Sequence, residues 1–172
     1  MKNKFLNEMK NRGYLSQCTD IDKLDEICNK KPITGYIGFD CTARSLHVGS
    51  LLQIMILRLM QKYGHRPIVL LGGGTTMIGD PSGKDSTRKI LKQDEIKRNI
   101  KSIKKVFTRI LDNSKKETKP IFVDNAKWLT KLNFIKFLRD IGSHFTINKM
   151  LGFDSVKPVS YTHLRAHETI AD

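Results

Sequence analysis

The period of the apolar residues changes several times along the chain, and each change marks an element. Phe5, Leu6 and Met9 fall on one face of a helix over residues 2–13. Thr19-Asp20-Ile21-Asp22 resembles a capping box with Asp in place of Glu or Gln, and it opens a second helix with Ile21, Leu24, Ile27 and Cys28 facing inward. Pro32 stops that helix and releases a strand over about 33–39. Between residues 49 and 63, Leu51, Leu52, Ile54, Met55, Leu57, Leu59 and Met60 cover most of a helix circumference, the pattern of a helix buried on more than one side. Gly64 is placed to end it. The unbroken run Pro67-Ile-Val-Leu-Leu71 is typical of a central parallel strand, and it ends in Gly72-Gly73-Gly74. Two strands joined by one buried helix predict a right-handed βαβ unit.

The segment from Thr75 to Arg88 carries a second turn, Gly79-Asp80-Pro81-Ser82-Gly83-Lys84. Ile96, Ile100, Ile103, Phe107 and Ile110 then mark an amphipathic helix from Asp94 to Leu111, with lysines opposite. A third strand is predicted over 120–123, ending at Asp124-Asn125. A final helical region holds Trp128, Leu129, Leu132, Phe134, Phe137, Leu138 and Ile141, and Gly142 breaks it. Strands alternating with helices, with polar and glycine-rich residues after the strand ends, predict an α/β fold with a Rossmann-like, doubly wound parallel sheet. Ligands of such sheets bind at the strand C-termini.

Composition narrows this picture slightly. The 172 residues suit one α/β domain, and no apolar run is long enough to span a membrane. The first fifteen residues lack the continuous apolar core of a signal peptide, so a cytoplasmic protein with no membrane partner is expected. Cys18, Cys28 and Cys41 form no paired or zinc-binding spacing and read as free thiols. The net charge of +14 is spread along the chain. It suits a polyanion partner and a solvated surface equally, and does not decide between them.

The densest candidate chemistry lies between Gly35 and Leu52, where a strand, a polar turn (Asp40, Thr42, Arg44, Ser45) and a helix start follow one another. The unpaired N–H groups and positive dipole end of such a helix make an anion site. Gly38 and Gly49 permit close approach of a ligand, and His47 offers an imidazole donor. The segment Gly79–Lys84 suggests a phosphate loop and fails the test. Ile78 stands where a Walker A loop needs glycine, and Asp85 where it needs Ser or Thr.

Asp40-x-Thr42-x-x-x-x-His47-Val48-Gly49-Ser50 resembles the HIGH signature of class I aminoacyl-tRNA synthetases. Three further blocks extend the resemblance: Tyr36-x-Gly38-Phe39-Asp40; Leu71-Gly72-Gly73 with Ile78-Gly79-Asp80-Pro81-Ser82-Gly83-Lys84; and Asp124-Asn125 with Trp128. Together they resemble the bacterial tyrosyl-tRNA synthetases over residues 1–158. The resemblance implies a leading helical element over 1–32 and a partial catalytic domain over 33–158. It implies a tyrosine–tRNA ligase, with L-tyrosine, ATP and tRNA(Tyr) as partners, Mg2+ accompanying ATP, no tightly bound protein metal, and a homodimer at full length.

The residue roles implied by resemblance are these. Thr42, His47 and Ser50, with the basic Lys84 and Arg88, act on the ATP phosphates, and Gly38, Asp40 and Gly49 complete the ATP site. Tyr36, Asp80 and Asn125 bind tyrosine, Tyr36 at the phenolic hydroxyl and Asp80 at the α-ammonium. Each also has a plainer reading. Thr42 and His47 suit helix N-caps, Lys84 and Arg88 a solvated loop, Tyr36 a strand aromatic, and Asp80 and Asn125 turn formers. Two positions depart from the family pattern. Ser50 replaces the second His of the signature, and Ile37 stands where some relatives carry a polar residue near the ribose. Two other functions compete: a tryptophanyl-type synthetase, against which Tyr36 argues, and a non-catalytic basic nucleic-acid-binding module, which needs no such constellation.

The final segment reads differently. Val159 to Thr169 looks like one reading frame of the transposon-end adapter used in sequencing libraries, so residues 159–172 are expected to be a non-native tail. His163 and His167 are four apart but lack the intervening glutamate of a zinc-protease motif. No KMSKS loop is present, so this chain alone is expected to show little or no tyrosine-dependent ATP–pyrophosphate exchange.

Overall fold

The computed structural model describes residues 2–79 and 91–151. Asp80, Lys84 and Arg88, and the expected tail over 159–172, lie outside the described residues.

Three parallel strands, β1 (Thr34–Phe39), β2 (Arg66–Leu71) and β3 (Ile121–Asp124), form a sheet in the order β1-β2-β3. Tyr36 lies beside Ile68, and Gly38 beside Leu70; Leu70 in turn lies beside Val123. The β1–β2 crossover is α3 (Val48–Lys62). The β2–β3 crossover contains the short α4 (Gly73–Ile78) and the long α5 (Gln93–Ile110). Both crossovers step the same way across the sheet, and right-handed connections place their helices on one face. Phe39, Val69 and Leu71 point to that face and form a core with Ile54 and Leu57 of α3 and Ile103 and Phe107 of α5. Phe107 meets Phe39 edge-on at 4.7 Å between ring centroids and Phe122 at 6.2 Å. The opposite face bears Tyr36, Gly38, Ile68 and Leu70, none of them buried.

Two leading helices extend this core. In α1 (Lys4–Asn11), the Asn3 side chain accepts from the Phe5 and Leu6 N–H groups, and Phe5 and Leu6 are buried. In α2 (Ile21–Lys30), the N-cap is Asp20, whose carboxylate accepts from the Lys23 N–H, one residue later than the Thr19–Asp22 capping box expected from the sequence. Ile27, expected inward, is 37% exposed, whereas Cys28 is buried. The three cysteines are free.

Three expectations need correction. First, α3 is buried on one side only. Val48, Leu51, Leu52 and Met55 form an exposed stripe, with Val48 at 86%, because no described element packs over them. Second, Gly72-Gly73-Gly74 does not simply trail from a strand: Gly73 and Gly74 open α4. A Cβ on Gly73 would lie 2.3 Å from Asp124 Oδ1, and one on Gly74 3.2 Å from Asn125 Oδ1, so only glycine lets this helix start against the end of β3. Third, the last helical region is split into α6 (Ala126–Leu129) and α7 (Phe134–Asp140), the latter capped by the Asn133 side chain. A single 3-10 turn over Gly142–His144 and α8 (Ile147–Leu151) follow.

Buried Gln61 ties α3 to the connection before β3. Its amide nitrogen donates to the Asp112 and Thr118 carbonyls, and its oxygen accepts from the Asp112 N–H. Beside it lies a cavity of about 380 Å³ lined by Glu8, Arg12, Arg58, Lys62 and Lys115, among others. Its charges largely pair internally: Arg12 and Lys62 on Glu8, and Arg58 on Asp112. This crevice lies toward the C-terminal end of α3, away from the helix start that carries His47.

Candidate active site

The candidate site is built on the C-terminal edge of the sheet, where β1 turns into α3. His47 is the N-cap of α3, and its Nδ1 accepts from the Gly49 N–H at 3.0 Å. This bond satisfies one orphan donor of the helix start. It also places the proton of the neutral imidazole on Nε2, whose N–H is then the group left to donate. The plainer reading of His47 as a cap and the phosphate-donor reading are therefore compatible. A Cβ on Gly49 would lie 2.8 Å from His47 Cε1, so glycine is what lets the ring fold back onto the helix.

Thr42 and His47 are both exposed on this turn, as is Asp40. The space above Gly38 is open: a Cβ there would meet nothing within 4 Å. Tyr36, two residues earlier on the same face of β1, is 68% exposed. The strand thus presents Tyr36 and an open glycine on the uncovered face and runs at its C-terminal end into the Asp40–His47 turn. Ser50 differs from the other signature residues in being only 6% exposed, within the first turns of α3.

Asn125 is placed at this edge by the end of β3, but its side chain already serves α4. Its oxygen accepts from the Gly74 N–H at 2.7 Å, and its nitrogen donates to Thr75 Oγ1 at 3.2 Å. Thr75 Oγ1 also donates to the Gly72 carbonyl, and the Asn125 N–H donates to the Leu71 carbonyl. The structure therefore brings Gly38, Asp40, Thr42, His47, Gly49 and Asn125 to one sheet edge, with Tyr36 on the open face leading to it.

Sequence reasoning missed two buried polar residues next to this turn, Thr76 and Asn99. Thr76 Oγ1 accepts from the Cys41 N–H at 3.0 Å, and Asn99 Nδ2 donates to the Cys41 carbonyl at 2.9 Å. The available signal was the polar residue at 99 within the inward row Ile96, Ile103 and Phe107. Cys41 is wholly inaccessible, and burial pushes its thiol pKa up to about 11, against formation of the reactive thiolate. Among the described residues, no three His, Cys, Asp or Glu side chains are grouped to hold a metal ion, and no helix is long and apolar enough to cross a membrane.

The model of the family "tRNA synthetases class I (W and Y)" matches residues 28–168, reaching beyond the expected tail boundary at 159. The chain is 66% identical over 155 residues to the tyrosine–tRNA ligase of Pelagibacter ubique, covering 90% of this chain and 38% of that relative. It is 57% identical over 153 residues to the enzyme of Rickettsia typhi, covering 89% and 37%. Among solved structures, a C-terminally truncated mitochondrial tyrosyl-tRNA synthetase of Aspergillus nidulans aligns with a TM-score of 0.76 and 27% identity, covering 99% of this chain and 49% of that one. The chain thus spans a little over a third of the length of these curated relatives. With a half-wound parallel sheet, a His-capped helix start and a family match over most of its length, the chain belongs to the class I tRNA synthetases of the tryptophan and tyrosine family.

Proposed function

We propose that this chain is the tyrosine- and ATP-binding part of a tyrosine–tRNA ligase. The observation that carries the reading is the alignment along one strand of Tyr36, the open space over Gly38, and the turn bearing Thr42 and His47. In the reaction, a tyrosine carboxylate oxygen bonds to the α-phosphorus of ATP as the bond to the bridging oxygen breaks. Pyrophosphate leaves, and tyrosyl-adenylate then passes its acyl group to tRNA(Tyr). The carboxylate needs no general base, so catalysis rests on position and on donors aimed at the developing phosphate charge.

In this reading the His47 Nε2–H, the Thr42 hydroxyl and the positive end of the α3 dipole meet the phosphates, with Mg2+ accompanying ATP. Lys84 and Arg88 supply further positive charge, Asp80 meets the α-ammonium, and Ser50 supports the α3 start from within. Asn125 acts through Thr75 and α4, because its amide is engaged there. The Tyr36 hydroxyl pairs with the substrate phenol and disfavours phenylalanine, as the tyrosyl enzymes of this class are known to do. The same hydroxyl favours tyrosine over tryptophan, a distinction that the family match does not make.

The protein acts in the cytoplasm, and its family-length form is a homodimer. The exposed row Phe134, Ile135, Phe137 and Leu138 on α7 is available to that assembly. Calorimetric titration of the chain with Mg-ATP and with tyrosine tests the reading. Thr42→Ala and His47→Ala should weaken ATP and spare tyrosine, and Tyr36→Phe should do the reverse. Equal effects of all three on both ligands would refute the two-ended site.

A further inference from the structure

We propose that Thr76 and Asn99 are positioning residues that clamp the two peptide groups flanking Cys41 and thereby fix Thr42 for the nucleotide end of the site. This rests on the reading of Thr42 given above. Thr42 is exposed, and no side-chain hydrogen bond from the described residues holds it, so its placement depends on the backbone around it. That backbone is held from both sides. The Cys41 N–H donates to Thr76 Oγ1 on α4, and the Cys41 carbonyl accepts from Asn99 Nδ2 on α5. Both partners are buried, and Cys41 is wholly inaccessible.

A single residue thus has the N–H of the peptide before it and the C=O of the peptide after it satisfied by two consecutive helices that otherwise belong to the β2–β3 crossover. Buried hydrogen bonds of this kind are costly to leave unmade, so neither group has an alternative partner in water. Asn99 has no other evident purpose on the inward row of α5, where the residues before and after it in register, Ile96 and Ile103, are apolar. Thr76 likewise projects its hydroxyl inward although the neighbouring Thr75 faces the open edge. The Cys41 side chain adds a weak third tie, its Sγ donating to the Phe39 carbonyl at 3.7 Å.

The test uses the 172-residue chain. Thr76→Val is near-isosteric and removes the acceptor, Asn99→Leu removes the donor, and Thr76→Ser restores a hydroxyl. The backbone order parameter of Thr42, measured by NMR relaxation, should fall from about 0.85 to below about 0.6 in the first two variants and return in Thr76→Ser. Mg-ATP affinity should fall roughly tenfold and recover in step. Leu6→Ala, a remote core variant, should lower stability and leave Thr42 ordered, which separates positioning from general loosening. An unchanged Thr42 order parameter in both Thr76→Val and Asn99→Leu would overturn the clamp, as would failure of Thr76→Ser to restore it. If Thr42 loosens as expected but the unmodified chain binds no ATP, the clamp stands and the nucleotide reading fails.

Discussion

Two histidines show how one residue type does different work according to its surroundings. His47 is exposed and capped onto Gly49, leaving its Nε2–H outward. Gly49→Ala would drive the ring off the helix start, at a cost of about 1 kcal/mol for a lost cap. Urea unfolding should show that loss, and nitrogen NMR should show the His47 proton leaving its fixed place on Nε2. His65 is buried, with Nδ1 accepting from the Ile33 N–H at 3.2 Å, Nε2 without a hydrogen-bond partner among the described residues, and the Phe5 ring edge-on at 4.9 Å. Burial holds its pKa below the ordinary 6.5. The unfolded chain therefore takes up a proton at a higher pH than the folded one. The stabilisation is complete above 6.5 and is lost as pH falls from there toward the depressed folded value. The urea midpoint of the chain should drop between pH 7.5 and pH 5.5, and that difference should flatten in His65→Phe even though the variant is less stable throughout.

At the scale of elements, the boundaries readable in the sequence were those set by local chemistry. The strand starts after Pro32, the end of α3 before Gly64 and the long amphipathic α5 all follow from periodicity and turn residues. Phe107 is the pivot of α5 against the sheet, so Phe107→Ala should cost about 3–5 kcal/mol, read as a lower urea midpoint with little change in slope. What was not legible depended on partners distant in sequence. The start of α4 at Gly73 is set by Asp124, and Thr76 and Asn99 acquire meaning only when Cys41 is folded between them. The docking of α1 is likewise tertiary. Glu8 accepts from Lys62 and from the Tyr63 hydroxyl, and pairs with Arg12. Those partners, Lys62 first, hold its pKa at about 2 against an ordinary 4.5. This contribution is present above 4.5 and disappears as pH falls through about 2. The protection of the α1 amides, taken relative to their intrinsic exchange rates at each pH, should therefore fall across that window, and in Glu8→Gln the fall should be absent.

For the whole molecule, the described sheet is covered on one face and leaves β1 at its edge, with Tyr36 and the Val48–Met55 stripe uncovered. The relatives are more than twice as long as this chain. The 172-residue protein should accordingly show little or no tyrosine-dependent ATP–pyrophosphate exchange; exchange at the rate of a family-length enzyme would contradict this. The Tyr36–Ser50 part of the proposed site could be proposed from sequence because those residues fall in one short stretch whose spacing reflects strand-to-helix geometry, whereas Asn125 comes from the end of β3. Charge was a poor guide, since the cationic side chains Arg12, Arg58 and Lys62 that line the crevice beside Gln61 are all paired with carboxylates.

That crevice supplies the contrast for the most direct test. In amide NMR spectra of the chain titrated with Mg-ATP, the signals of Thr42, His47 and Gly49 should move together and saturate, with those of Arg12, Arg58 and Lys115 unchanged. Shifts confined to the crevice, or uniform weak shifts of the basic surface, would contradict an ATP site at the start of α3.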